Sequence, residues 1–315
     1  MILKIILIIL LIGILSFSGW FLYQNWPGEA EQFQVEIPGT ESEGVQAGAE
    51  IIDYGEIKQF YPNMRFNHNG LSYYIDSLCP EKRVQKMQEA FSILQEKVTL
   101  ISFFPAKESE ADILVGCSED YIKQEENRFI AGEGGPTEFV NTSLYNVILK
   151  GKILLYRESE CEAPVVETHE ILHVLGFDHS KDPKDIMYNF SSCDQEISND
   201  VINDLILLYG QEPLPDLHIS EVNATKRGRY LDFNVGVKNK GMVDINNASL
   251  TLISDNEEIG VFYLNEVVFG GGKQLWAQNV KLPSRSTEKV KFVIDKEKRI
   301  RELNENNNEI ELSVA

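Results

Sequence analysis

Eleven consecutive residues carry the chemistry that this sequence can do: His169-Glu170-Ile171-Leu172-His173-Val174-Leu175-Gly176-Phe177-Asp178-His179. The pattern is HExxHxxGxxH. On a helix, His169 and His173 stand four apart, so both imidazoles leave one face a turn apart. Glu170 lies about 100° further round, away from the ligand pair but within reach of a water on a shared metal. Gly176 permits the left-handed conformation that ends a helix and turns the chain back, which returns His179 as a third nitrogen. Three neutral imidazoles plus an open position describe a catalytic zinc site, whereas structural sites are closed by four protein ligands. Zinc so held brings its water towards a pKa of about 7, and Glu170 can take the proton as that water attacks a carbonyl. His68 and His218 stand outside the pattern and are expected to be ordinary surface or core residues.

These side chains need a helix to hold them. Pro164 suits its start, where the missing N–H costs nothing, and Val166, Ile171, Leu172 and Leu175 give it apolar surface to bury. Asp182-Pro183 marks a turn beyond the last histidine. Met187 is then placed to form a soft apolar floor below the metal. Upstream, Leu71–Ile75 reads as a strand, and Pro80 opens a helix over Glu81–Val98. Val84, Met87, Ala90, Phe91 and Leu94 recur along it at helical spacing and are predicted core. Leu100–Phe104, Ala111–Val115 and Val147–Tyr156 read as further strands. Ala131–Pro136 reads as a glycine-rich turn, and without a phosphate-loop Lys it does not point to nucleotide binding. A mixed sheet crossed by one long helix, with a second helix carrying the metal, is an α/β sandwich.

The chain of 315 residues exceeds one average domain. Its net charge of −20 argues against nucleic acid as a partner, because nothing neutralises phosphates. Ile5–Tyr23 is uncharged and rich in Ile and Leu, and a run of about 19 such residues can span a bilayer. Lys4 precedes it and no basic residue follows until Lys58, which places the N-terminus inside and the body outside. Residues 1–26 are therefore expected to be a membrane anchor, with a signal peptide cleaved near Ser16-Phe17-Ser18 as the competing reading. Residues 27–56 read as a flexible acidic linker. Cys79, Cys117, Cys161 and Cys193 lack CxxC spacing, so in an exported chain they are disulfide candidates with three possible pairings. Cys161–Cys193 is favoured because it brackets the metal helix, leaving Cys79–Cys117; four buried free thiols is the other reading.

Residues 57–212 thus form one globular domain, and Pro213-Leu214-Pro215 opens another over 213–315. There, Leu217–Val222, Tyr230–Val237, Ala248–Ile253, Gly260–Leu264, Val290–Ile294 and Ile310–Val314 are short alternating segments, as in an all-β immunoglobulin-like sandwich. The Asn304–Asn307 run is expected to be a turn before the last strand rather than a calcium site. Asn141, Asn189, Asn223 and Asn247 begin N-x-S/T sequons, which matter only in a glycosylating host.

The three-His motif followed by a Met-turn is similar to the metzincin signature. Within that clan, His179-Ser180, Asp182-Pro183 and Ile186-Met187-Tyr188, with Ile197-Ser198-Asn199-Asp200 through Leu208-Tyr209-Gly210, resemble the matrixins, the matrix-metalloproteinase family. The resemblance covers roughly Ile57–Gly210 and implies His169, His173 and His179 as zinc ligands, Glu170 as general base and Met187 as the Met-turn; Tyr188 is not assigned to the metal. The sequence departs from matrixins in several places. No Cys precedes Ile57 to act as a propeptide switch. No His lies between Cys117 and Tyr156 for a second, structural zinc, so calcium held by that region is unsupported too. Asn189 replaces the usual Pro beside the specificity pocket. Asp216-Leu217, the Val-Lys-Asn-Lys-Gly stretch and Glu302–Asn307 resemble CARDB modules of prokaryotic surface proteins. The expected protein is an extracytoplasmic zinc endopeptidase at the cell surface, acting on protein or peptide substrates, with a surface partner for its last domain. The alternative is an adhesion or scaffold protein whose metzincin domain is silent.

Overall fold

The computed structural model describes residues 2–25, 30–36, 59–119, 130–156 and 160–314. The chain divides into two units, Gly44–Pro213 on the one hand and Met1–Glu43 with Leu214–Ala315 on the other.

The Gly44–Pro213 unit is built on a six-stranded sheet. Its strands are β2 (Met64–Phe66), β3 (Gly70–Ile75), β4 (Ser102–Pro105), β5 (Ile113–Cys117), β6 (Gly132–Asn141) and β7 (Asn146–Leu155). β2, β3, β4, β5 and β7 pair in parallel, and β6 runs antiparallel along β7. Helix α2 (Glu81–Lys97) buries Met87, Ala90, Phe91 and Leu94, and Val98 is its C-cap. These pack into one core with Ile113, Val115, Ile153 and the apolar residues of α3 (Val165–Val174) and α4 (Asn199–Tyr209). Disulfides join Cys79 to Cys117 and Cys161 to Cys193. Ser198 caps α4, its hydroxyl accepting from the Val201 N–H.

One expectation fails here. Ala131–Pro136 is not a turn: Gly132, Gly134 and Gly135 lie inside β6 and pair with β7. Gly132 and Gly134 answer to proximity instead. A Cβ on Gly134 would stand 2.4 Å from the Glu170 carbonyl oxygen, so only a bare backbone fits between strand and metal helix.

The other unit is a sandwich of two antiparallel sheets, ordered β1-β8-β9-β12 and β11-β10-β13-β14. β1 is Ala30–Glu36, β8 Leu217–Arg227, β9 Tyr230–Asn239, β10 Ile245–Ser254, β11 Glu257–Val267, β12 Gly272–Lys281, β13 Lys289–Ile294 and β14 Glu309–Ser313. Alternation puts Val222, Phe233, Val235, Leu250, Phe292 and Leu312 into its core. β12 was not among the segments expected from the sequence.

The expectation of a flexible linker over 27–56 is corrected by β1. Ala30–Glu36 pairs with β8 over seven residues, from Ala30↔Arg227 to Glu36↔Glu221, and Phe33 packs against the sandwich core. The alternation of polar and apolar residues in Ala-Glu-Gln-Phe-Gln-Val-Glu suits an edge strand with one wet face. The remainder of that stretch lies outside the described residues. Preceding β1, α1 (Ile2–Asn25) contains a span, Ile6–Gln24, long and apolar enough to cross a membrane, with a mean hydropathy of 2.4.

Candidate metal centre

All ten residues of α3 are buried, so the helix is fixed on every side before it presents any chemistry. Its end is set by Gly176, whose φ of +98° is open to glycine at little cost. The Phe177 N–H then donates to the Leu172 carbonyl at 3.1 Å, closing the helix with a six-to-one bond. That same turn orients a side chain: His173 Nδ1 lies 2.7 Å from the Phe177 carbonyl oxygen. His169 Nδ1 lies 2.6 Å from the Ile186 carbonyl oxygen, on the loop that returns after His179. Both Nδ1 atoms therefore carry the proton and donate it to backbone oxygen, and both Nε2 atoms are left as bare acceptors.

Those acceptors converge. His173 Nε2 is 2.9 Å from His169 Nε2 and 3.3 Å from His179 Nε2. Three lone pairs aimed at one point repel one another unless a cation takes them. Zinc–nitrogen bonds of about 2.0–2.1 Å at tetrahedral angles require nitrogens about 3.3 Å apart, so the set fits a zinc ion with small adjustment. Burial lowers the His169 pKa, and burial together with His169 lowers that of His173 to about 4, which keeps both rings neutral and ready to ligate. His179 is the exposed member of the three. Among the described residues no other group of His, Cys, Asp and Glu has such geometry. His68 pairs instead with Asp112 at 3.7 Å, and His218 lies in β8 of the sandwich.

Glu170 follows His169 on α3 and is 5% exposed. Burial, then the nearby Glu133 and Glu167 carboxylates, push its pKa up to about 8, against a lowering hydrogen bond from the Gly134 N–H. Gly132 makes room for this carboxyl, since a Cβ there would meet Glu170 Oε1 at 2.8 Å. The strand read as a turn thus packs directly against Glu170.

The loop after His179 is pinned by short-range bonds. Ser180 N–H donates to the Met187 carbonyl at 2.8 Å, and Met187 N–H donates to Asp185 Oδ1 at 2.8 Å. Met187 is fully buried, and Asp185 is buried with it. Cys161 and Cys193 close a loop that contains α3, all three histidines and Met187. On the far side, the Phe60 ring lies 5.6 Å from the His173 ring and nearly parallel to it.

Several residues of this framework were not singled out in the sequence. Asp185 follows an Asp-Pro turn and looks like one more loop carboxylate, although its oxygen orders the Met-turn. Arg65 is fully buried, donating to the carbonyls of Leu208 and Gln211 at the end of α4 while its guanidinium lies 4.7 Å over the Tyr209 ring.

Residues 65–210 match the matrixin family model, and residues 214–312 match the CARDB model. The chain is 27% identical over 194 residues to macrophage metalloelastase of Oryctolagus cuniculus, an alignment covering 54% of this chain and 40% of that protein. The chain thus matches well under half the length of that relative. Among solved structures, the CARDB domain of a Pyrococcus furiosus protein, described as a complex with di-metal ions, is 19% identical. It covers 32% of this chain and 94% of its own, with a TM-score of 0.27. A cell-surface protein domain of Methanosarcina acetivorans is 13% identical over 32% of this chain and 93% of its own, also with a TM-score of 0.27.

Proposed function

From a chain that joins a matrixin domain to a CARDB domain, we propose an extracytoplasmic zinc-dependent endopeptidase. His169, His173 and His179 hold the zinc and Glu170 is the general base. One observation carries the reading: three Nε2 atoms converge, two of them from the helix that also bears the buried Glu170, and those two rings are locked in the ligating tautomer by backbone oxygens. When bound, zinc supplies Lewis acidity that activates water near neutral pH and polarises a carbonyl.

The protein's own groups do the rest. Glu170 accepts the proton of the attacking water and passes it to the leaving amine nitrogen, while the Gly134 N–H holds the carboxylate in place. β6 pairs on one side only, with β7, among the described strands. Its other edge offers backbone N–H and C=O groups to an extended peptide, so main-chain hydrogen bonds set the register of the substrate. Apolar packing around α3 fixes the ligands, and the buried Met187 fills the floor.

Anchoring is read from α1. Its apolar span meets the length a bilayer requires, and at its end the Arg285 guanidinium lies 4.7 Å over the Tyr23 ring and donates to the Tyr23 carbonyl at 3.0 Å. Arg and Tyr together suit a membrane–water boundary. Two disulfides point to an oxidising compartment, in keeping with a body outside the cytoplasm. The test is cleavage of a denatured peptide library by the full chain in detergent, with and without a zinc chelator. Chelator-sensitive cleavage that returns on adding zinc supports the peptidase. A folded, zinc-loaded chain that leaves the library intact sinks it.

A further inference from the structure

In the sheet β1-β8-β9-β12, alternation divides every strand between two faces. Phe33, Val222, Phe233 and Leu275 face the sandwich core. The opposite face carries one residue from each strand at a single register level: Gln34 pairs with Asn223, Asn223 with Asn234, and Asn234 with Trp276. Three amides and an indole thus stand in a row across the sheet. They line a groove of about 410 Å³ to which each of the four strands contributes three consecutive residues.

Trp276 is 74% exposed, an indole that the fold does not use. Its flat apolar ring and single N–H are a binding surface rather than a packing element. Beside it, Asn234 Oδ1 is closed off from solvent and has no hydrogen-bond partner, an acceptor that wants a donor. On this face the Asp232 carboxylate takes the Arg227 guanidinium and the Asn279 N–H, and the Glu221 carboxylate accepts from the Gln274 amide. The chain as a whole carries −20, which repels anionic polymers.

We propose that this face binds a neutral polysaccharide. The Trp276 ring stacks on the C–H face of a sugar ring, and the amides of Gln34, Asn223 and Asn234 exchange hydrogen bonds with its hydroxyls. Amides suit this ligand because each offers both donors and acceptors, as vicinal hydroxyls do, without demanding a charge. The row crosses three inter-strand gaps of about 4.8 Å, roughly 14 Å in all, a length that takes a short run of sugar rings. Gln34 comes from the strand that precedes the matrixin domain, so the face is complete only while β1 is paired. The proposal is independent of the zinc and peptidase readings.

The test is affinity electrophoresis of the full chain in detergent through gels containing a soluble β-1,4-glucan, a β-1,3-glucan, an α-mannan or, as the anionic control, polygalacturonate. At least one neutral polymer is expected to retard the protein. Trp276→Ala should weaken that retardation at least tenfold and Asn234→Ala severalfold, with hydrolysis of a short peptide unchanged. Because Trp276 is exposed, its replacement leaves the core intact, and Gln34→Ala, also at an exposed position, supplies a second variant with the same expected direction. The proposal is overturned by no retardation in any neutral polymer, by retardation in polygalacturonate alone, or by binding that survives the loss of the indole. It is also overturned if Trp276→Ala abolishes self-association and nothing else, since the face would then be a contact between copies.

Discussion

Removing the Cys161–Cys193 bridge should strike at the metal centre rather than at the fold in general. The two cysteines are 32 residues apart and enclose α3, His169, His173, His179 and Met187. Chain-entropy reasoning gives a loop of that size about 12 cal/mol/K of lost freedom in the unfolded state, or about 3.7 kcal/mol at 25 °C. For a domain of this length, a change of that order lowers Tm by roughly 10 °C. The bridge also restrains the loop whose Ile186 carbonyl orients His169, so the double variant Cys161→Ser/Cys193→Ser should hold zinc more weakly as well. Thermal melts of the parent and variant, each with and without zinc, measure both effects: the zinc-dependent rise in Tm should shrink in the variant. A variant that melts within about 1 °C of the parent and keeps its zinc response would refute the reasoning, and would mean that the apolar core alone orders the loop.

Gly134→Ala should separate β6 from α3, because the new Cβ would stand 2.4 Å from the Glu170 carbonyl oxygen; overpacking of this kind costs about 1–3 kcal/mol, and urea melts should show it together with reduced peptide hydrolysis. In the metal-free protein, burial holds the His173 pKa near 4. The unfolded chain takes up that proton first, so stability should fall as pH drops from about 6.5 to about 4, by roughly 3 kcal/mol. His173→Asn should flatten that limb of the pH–stability curve, and an unchanged limb counts against the assignment. Glu302 behaves in the opposite sense. Burial pushes its pKa up to about 7, so the sandwich should lose stability as pH rises from about 4.5 to about 7, by roughly 3 kcal/mol, and Glu302→Gln should remove that slope in melts of the full chain.

What could be read from the sequence follows how local each cause is. The ligand spacing of His169 and His173 and the turn at Gly176 are decided within a few residues, and so is the amphipathic pattern of α2. The role of the glycines at 132 and 134 was not legible, because the reason for them is the approach of a helix that comes much later in the chain. Turn propensity was the only local signal, and it pointed the wrong way. β1 was hidden for a similar reason. Its partner strand β8 begins at Leu217, and without that partner Ala30–Glu36 is one more acidic segment. β12 escaped notice because outward Trp276 stands between inward Leu275 and Ala277 and blurs the alternation, and a break in register between Ala277 and Val280 interrupts it further. Arg65, an arginine within an apolar strand, takes its meaning from the carbonyls at the end of α4. Long-range proximity, rather than residue type, was the missing information in each case.

The central claim is that Glu170 performs chemistry at a zinc held by three histidines, and Glu170→Gln tests it most directly. Glutamine keeps the shape of the side chain and cannot take the proton. Zinc content and peptide hydrolysis should be measured on the same preparation. The account predicts one zinc per chain in both proteins, with hydrolysis reduced about 10²–10⁴-fold in the variant. Hydrolysis at the parent rate with zinc retained would contradict it.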